Sequence, residues 1–343
     1  MRNLVFLTCT LLFLFSGLVA AADSMIRPEN VAVVVNDADA KSLEIGQYYL
    51  KARRIPQQNL IRINLPDSPR ILSAEKFRKL KQQIDAGLQP EIQVILLVWT
   101  APFAVECNAI TAALTLGFDG EQCKNTCGPG KPSAYFDSPA SLPADRGLRL
   151  SMLMPTESIG AAKALIDRGV LSGFSVNEAS AYFLITSDKL RNSRAGFFPK
   201  PGRIPQKKLN INTLQTDYIE NHKDVMIYQT GLASVPGLET LSFLPGALAD
   251  HLTSGGGILL GGGQMSSLKW LEAGATASYG TVSEPCNHWQ KFPNPAVLLK
   301  HYLSGETAVE AYWKSVDWPA QGVFIGEPLA AAYCRSCASK AWK

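Results

Sequence analysis

The sequence predicts an α/β protein, a three-layer sandwich whose central sheet is mainly parallel. Two stretches of the 343-residue chain carry that expectation. A strand–helix–strand–helix–strand series follows the N-terminal apolar segment, and the same alternation returns in the last third. Strands joined by helices within one sheet run parallel, and the helices then cover it. Short β-branched runs are a third observation, because a strand buried on both faces is apolar throughout instead of alternating.

The first such run is Val31 to Val35. Ala40 to Arg53 follows as a helix with Leu43, Tyr48 and Leu50 among its apolar residues, and Pro56 closes it. Asn59 to Asn64 reads as a second strand. Ser73 is an N-cap for a helix reaching about Leu88, and Gln93 to Trp99 is a third strand. Cys107 to Pro143 is rich in Gly, Pro and Ser and reads as a long excursion pinned by a disulfide. Leu148 to Leu153 is a strand, Thr156 or Ser158 caps the next helix, and Ala181 to Thr186 is a strand with Asp188 just past its end. In the last third, Asp224 to Gln229 reads as a strand and Pro245 to Leu252 as a helix. Ile258 to Leu260 reads as a short strand between glycine clusters. Ser266 to Ala273 is a helix, Thr276 to Val282 a strand, Pro295 to Leu303 and Thr307 to Lys314 helices, and Val323 to Ile325 a last strand. Residues 23–200 and 209–343 make an N-terminal and a C-terminal α/β half, either two units sharing a surface or one continuous sheet. Gly128 to Pro143 and Phe198 to Lys208 are the candidates for disorder.

The N-terminus predicts export. Arg2 is followed by the apolar run Leu4 to Val19 and by the small residues Ala20-Ala21-Ala22, the order of a cleavable secretory signal over residues 1–22. The run is about 16 residues, short of the roughly 20 that span a bilayer. The expected location is periplasmic or secreted, with no stable membrane span after processing. Beyond Cys9 there remain Cys107, Cys123, Cys127, Cys286, Cys334 and Cys337, an even set in an oxidising compartment, which favours disulfides over zinc. The net charge of +4 is spread over both signs and excludes a basic nucleic-acid surface.

Several segments carry a resemblance. Tyr48 to Ile61, Phe243 to Ser254, Gly274 to Val282 with Glu284-Pro285, Leu303 to Ala311 and Gly326-Glu327-Pro328-Leu329 resemble an exported bacterial family that occurs in species with the exosortase (PEP-CTERM) sorting system. That family brings no assigned activity. The closing part also resembles, more distantly, the gingipain and caspase-like cysteine peptidases, which implies a caspase-like C-terminal half. Those enzymes need a His at one strand end and a Cys at the next, the thiolate attacking a carbonyl and the imidazole moving the proton. The matching positions, Gln229-Thr230-Gly231 and Phe243-Leu244-Pro245, carry neither.

The strongest chemical cluster is Glu284-Pro285-Cys286-Asn287-His288-Trp289, after a predicted strand, where open α/β sheets place sites. Cys286 and His288 are candidates for a thiolate–imidazole pair, with Glu284 beside them. The plainer reading joins Cys286 to Cys334 or Cys337 and has Glu284 hold the loop. Gly255-Gly256-Gly257 and Gly261-Gly262-Gly263 lack a phosphate-loop pattern and read as turns. Ser266-Ser267-Leu268-Lys269 matches Ser-x-x-Lys without its partner motifs. His222, His251 and His301 have no metal-ligand spacing, and no metal or cofactor is expected. Asp37, Asp39 and Asp188 are either lining residues of one sheet edge or ordinary caps and turn formers.

These features favour an exported, non-catalytic, degenerate caspase-like protein that acts as an accessory or binding factor in protein sorting or envelope assembly, its partners being envelope or sorted proteins. One alternative is an active cysteine hydrolase or transpeptidase using Cys286 with His288 or His251. Another is a periplasmic solute-binding protein in which Trp99, Trp270 and Trp289 stack on a sugar or other small solute.

Overall fold

The computed structural model describes residues 25–140, 142–173 and 178–333. The expected leader and the pair Cys334 and Cys337 lie outside them.

The apolar run Val31 to Val35 forms β1 (Val31–Asn36), buried along its whole length. Asp39 then caps α1 (Ala40–Arg53) by accepting from the Lys41 N–H. β2 (Leu60–Ile63) and the short β3 (Ile71–Leu72) lead to α2 (Ala74–Gly87), which Ser73 caps as its position predicts. β4 (Val94–Val98) is fully buried. A hairpin of β5 (Ala104–Val105) and β6 (Asn108–Ala109) pairs with β3 in a small separate sheet. The excursion continues through α3 (Ile110–Leu116) and α4 (Gly120–Lys124), pinned by the Cys107–Cys123 disulfide. β7 (Leu150–Met154) precedes α5 (Ile159–Leu171), whose cap is Ser158 and not Thr156. β8 (Ala179–Ile185), β9 (Gly202–Ile204), β10 (Leu209–Gln215), β11 (Val225–Thr230) and β12 (Phe243–His251) follow. The chain then forms α6 (Leu268–Ala273), β13 (Ala277–Thr281), α7 (Pro295–Ser304), α8 (Ala308–Ser315) and β14 (Gly322–Gly326).

One sheet runs through both halves of the chain, in the order β2-β1-β4-β7-β14-β13-β12-β11-β8-β10-β9. Helices flank it: α1 and α5 lie side by side against β1 and β12, and α3 and α8 lie against β7 and β14. The sheet is mainly parallel. Its neighbours are antiparallel only at β13–β14 and β10–β9. The β13–β14 pair sits in the middle, so β2, β1, β4, β7 and β14 run one way and β13, β12, β11, β8 and β10 the other. Asp37 and Asp39 follow β1, and Asp188 follows β8. They therefore belong to opposite ends of the sheet and do not share an edge.

Three sequence expectations are overturned. Pro245 to Leu252 is not helical: it is most of β12, and it is buried from Gly246 onward. Ile258 to Leu260 is turn instead of strand. Phe198 to Lys208 carries a short strand, β9, paired to β10. Among the described residues no helix is long and apolar enough to cross a membrane.

Candidate functional site

A buried ion pair occupies the ends of β11 and β12. Arg194 comes from the loop after β8, and its side chain is almost wholly buried. It meets Asp250, near the end of β12, with Nη1 2.5 Å from Oδ1. Nη2 donates to the carbonyls of Thr230 at 2.9 Å and Asp250 at 3.3 Å, and Nη1 donates to the Pro293 carbonyl at 3.1 Å. The Gln229 amide donates to Asp250 Oδ2 at 2.9 Å and the Tyr312 hydroxyl reaches the same oxygen at 3.4 Å. Burial pushes the Asp250 carboxyl up, while Arg194, Gln229 and Tyr312 oppose that shift. The same loop lies directly on β11. Thr186 Oγ1 donates to the Gly231 carbonyl at 2.7 Å, and a Cβ at Gly231 would run into the Arg191 carbonyl. Arg191 Nε donates to Thr253 Oγ1 at 3.2 Å. Thr230 and Thr253 are thus buried under the Arg191–Arg194 segment.

β12 ends at His251, eight residues beyond the start of the segment matched to the peptidases, because that segment is strand and not helix. The imidazole is fully buried. An indole N–H can only donate, so the 2.9 Å contact from Trp270 Nε1 makes Nδ1 an acceptor. Nε2 then carries the proton and donates to the Met265 carbonyl at 3.1 Å. Burial lowers the pKa to about 3. Both ring nitrogens are used, and His251 has no lone pair left for a general base.

The Glu284–Trp289 loop follows β13. The structure joins Cys286 to Cys127 of the excursion, with Cα atoms 5.0 Å apart, and not to Cys334 or Cys337. The loop is fastened there by three further bonds. Glu284 Oε1 accepts from the Cys286 N–H at 2.8 Å, His288 Nε2 bonds the Cys127 carbonyl at 2.9 Å, and Lys291 Nζ donates to the Thr126 carbonyl at 2.5 Å. Burial lowers the Lys291 pKa to about 8. In the disulfide, Cys286 offers no thiol to His288. The remaining described cysteines, Cys107 and Cys123, are also paired.

Other expected features are accounted for locally. Trp99 is buried with Nε1 on the Pro102 carbonyl, Trp270 is buried on His251, and Trp289 packs on Phe197 with ring centres 4.6 Å apart. The three tryptophans therefore line no common recess. Lys269 Nζ pairs with Glu272 at 2.7 Å, while Ser266 Oγ accepts from the Leu268 N–H, so the side chains of the Ser-x-x-Lys stretch are engaged elsewhere and not with each other. Gly257 and Gly280 are small because their backbones touch: a Cβ on either would clash with the other segment. Among the described residues, no group of three or more His, Cys, Asp or Glu is arranged to hold a metal.

A surface cleft of about 650 Å³ lies beside this region. Its walls come from the loop after β11, the turn after β12, and α6. Sequence reasoning missed it, because its residues come from two separate loops and a helix that share no motif. It also missed the Arg194–Asp250 pair. The only trace of that pair is an aspartate inside an otherwise apolar run.

No protein-family model matches the chain, and no curated protein matches it. Among solved structures, the Arg-specific cysteine proteinase gingipain R aligns at 12% identity with a TM-score of 0.49, over 88% of this chain and 78% of that one.

Proposed function

We propose that this chain is an exported, non-catalytic protein of degenerate caspase-like form, acting as a binding or accessory factor in protein sorting or envelope assembly. The observation that carries the reading is that all four described cysteines are in disulfides. Thiol catalysis needs a thiolate beside a free imidazole nitrogen. Cys286 is instead bonded to Cys127, and His251 has both nitrogens engaged. The covering of Thr230 and Gly231, one of the two matched positions, by the Arg191–Arg194 segment supports the same conclusion. Two disulfides in one chain fit an oxidising compartment, and with it the expected export.

Peptide mapping of protein alkylated before unfolding tests this reading. The expected result is a Cys127–Cys286 linked peptide and no label on either residue. The cysteine-hydrolase reading keeps one supporting observation: His288 and the low-pKa Lys291 flank Cys286 in the same loop. A free Cys286 that alkylates quickly at neutral pH would put that reading first.

A further inference from the structure

The cleft beside α6 carries an inference that rests on the binding reading above and gives it a ligand. We infer that it is a docking groove for an extended, mainly apolar polypeptide segment that carries a basic side chain. The floor is apolar, with Leu238, Leu259 and Met265 among its lining residues. Two carboxylates, Glu239 and Glu272, also line it. Glu239 makes no ion pair among the described residues, and Glu272 shares Lys269 at 2.7 Å. Of the two lining acids, Glu239 is therefore the one left without an ion pair among the described residues. A cation with apolar neighbours matches both features.

Three observations favour a polypeptide over a small solute. Small ligands are held in recesses that cover most of their surface, whereas exposed apolar residues stand near the rim of this cleft. On the Leu238 side the Tyr218 ring lies against Gly237, next to Leu238, and Tyr218 is 42% exposed. On the Gly261 side the Arg70 guanidinium lies against the cleft, and Ile71, next to it in the chain, is 55% exposed. A second apolar recess of about 250 Å³, between α5 and α6, shares Glu272 with the cleft and extends the surface past Leu268 and Leu271. Arg70 also gives the groove polarity, because it disfavours a cation at the Gly261 end and leaves Glu239 and Glu272 to receive it.

The probe is a fluorescein-labelled, end-blocked nonapeptide with leucine at alternate positions and one lysine, followed by anisotropy. Saturable binding is expected. It should be lost when the leucines become serine and weakened when the lysine becomes glutamate. The double variant Glu239→Gln/Glu272→Gln should weaken it about three- to fivefold, the scale of exposed charge pairs. Ser234→Trp fills the cleft from an exposed position and should abolish binding while the circular dichroism spectrum stays unchanged. No saturable binding, or binding that survives Ser234→Trp, overturns the inference. The mass of the peptide after incubation separates the two readings. Cleavage overturns the non-catalytic assignment and leaves the groove, whereas an intact peptide that never binds overturns the groove alone.

Discussion

Asp250 and Arg194 decide how the ends of β11 and β12 behave. A buried pair of this kind contributes little over an apolar replacement, but removing one partner strands the other charge. Arg194→Met should therefore lower unfolding stability by about 3–5 kcal/mol in urea titrations. Asp250→Leu combined with it should recover much of that loss. A single variant as stable as the parent would mean that the pair is not buried together. His251 makes a second prediction, with a definite sign. Its folded pKa of about 3 lies below the ordinary 6.5. Its contribution to stability is thus present above pH 6.5 and is lost as the pH falls toward 3, by about 1.4 kcal/mol per pH unit at most. The imidazole NMR signals should stay those of the Nε2–H tautomer through pH 5. A midpoint near 6.5 would show that Trp270 does not hold the ring. Neither residue announces its role in the sequence. Asp250-His251 reads as the polar end of a helix, and only the strand assignment buries both.

At the scale of elements, β1, α1, α2, β4, α7 and α8 are legible because local chemistry and tertiary context agree. Valine-rich runs form buried strands, and Ser73, Asp39 and Asn294 cap their helices by accepting from the first-turn N–H groups. β12 is the exception. Pro245-Gly246-Ala247-Leu248-Ala249 has the small residues and the leading proline of a helix start, and a central strand covered on both faces shows no alternation to oppose that reading. The small residues are needed because other elements press on the strand. The Tyr302 hydroxyl donates to the Gly246 carbonyl, and a Cβ at Gly246 would stand 2.9 Å from Ser172 Cβ and the Tyr302 oxygen. Gly246 also has a φ of +89°. Gly246→Ala should therefore cost about 2–3 kcal/mol from strain and crowding, read from the urea midpoint. A cost below about 0.5 kcal/mol, the scale of an ordinary surface change, would indicate that β12 is not placed as described.

For the whole molecule, the position of β14 ties the two halves together. This last strand lies between β7 of the first half and β13 of the second. Immediately after it, Glu327 is buried and is held by the first half: Tyr49 donates to Oε1 at 2.6 Å, Arg53 Nε donates to Oε1 at 3.0 Å, and Arg53 Nη2 pairs with Oε2. A hinged protein needs an interface that opens, and a shared sheet completed by a strand from the far end of the chain does not provide one. Unfolding should therefore be a single transition. Far-UV circular dichroism should trace it together with tryptophan fluorescence, which reports mainly on the second half because five of the six tryptophans, all but Trp99, lie there. Glu327→Ala leaves Arg53 buried without a partner. It should shift both signals by the same amount, corresponding to about 3–5 kcal/mol. Two separated transitions, with only the dichroism sensitive to Glu327→Ala, would mean that the halves fold as units. The solute-binding alternative, which requires them to move, would then regain its footing. Coincident transitions leave the groove beside α6 as a fixed surface on one cooperative body, a platform for a partner that adapts to it.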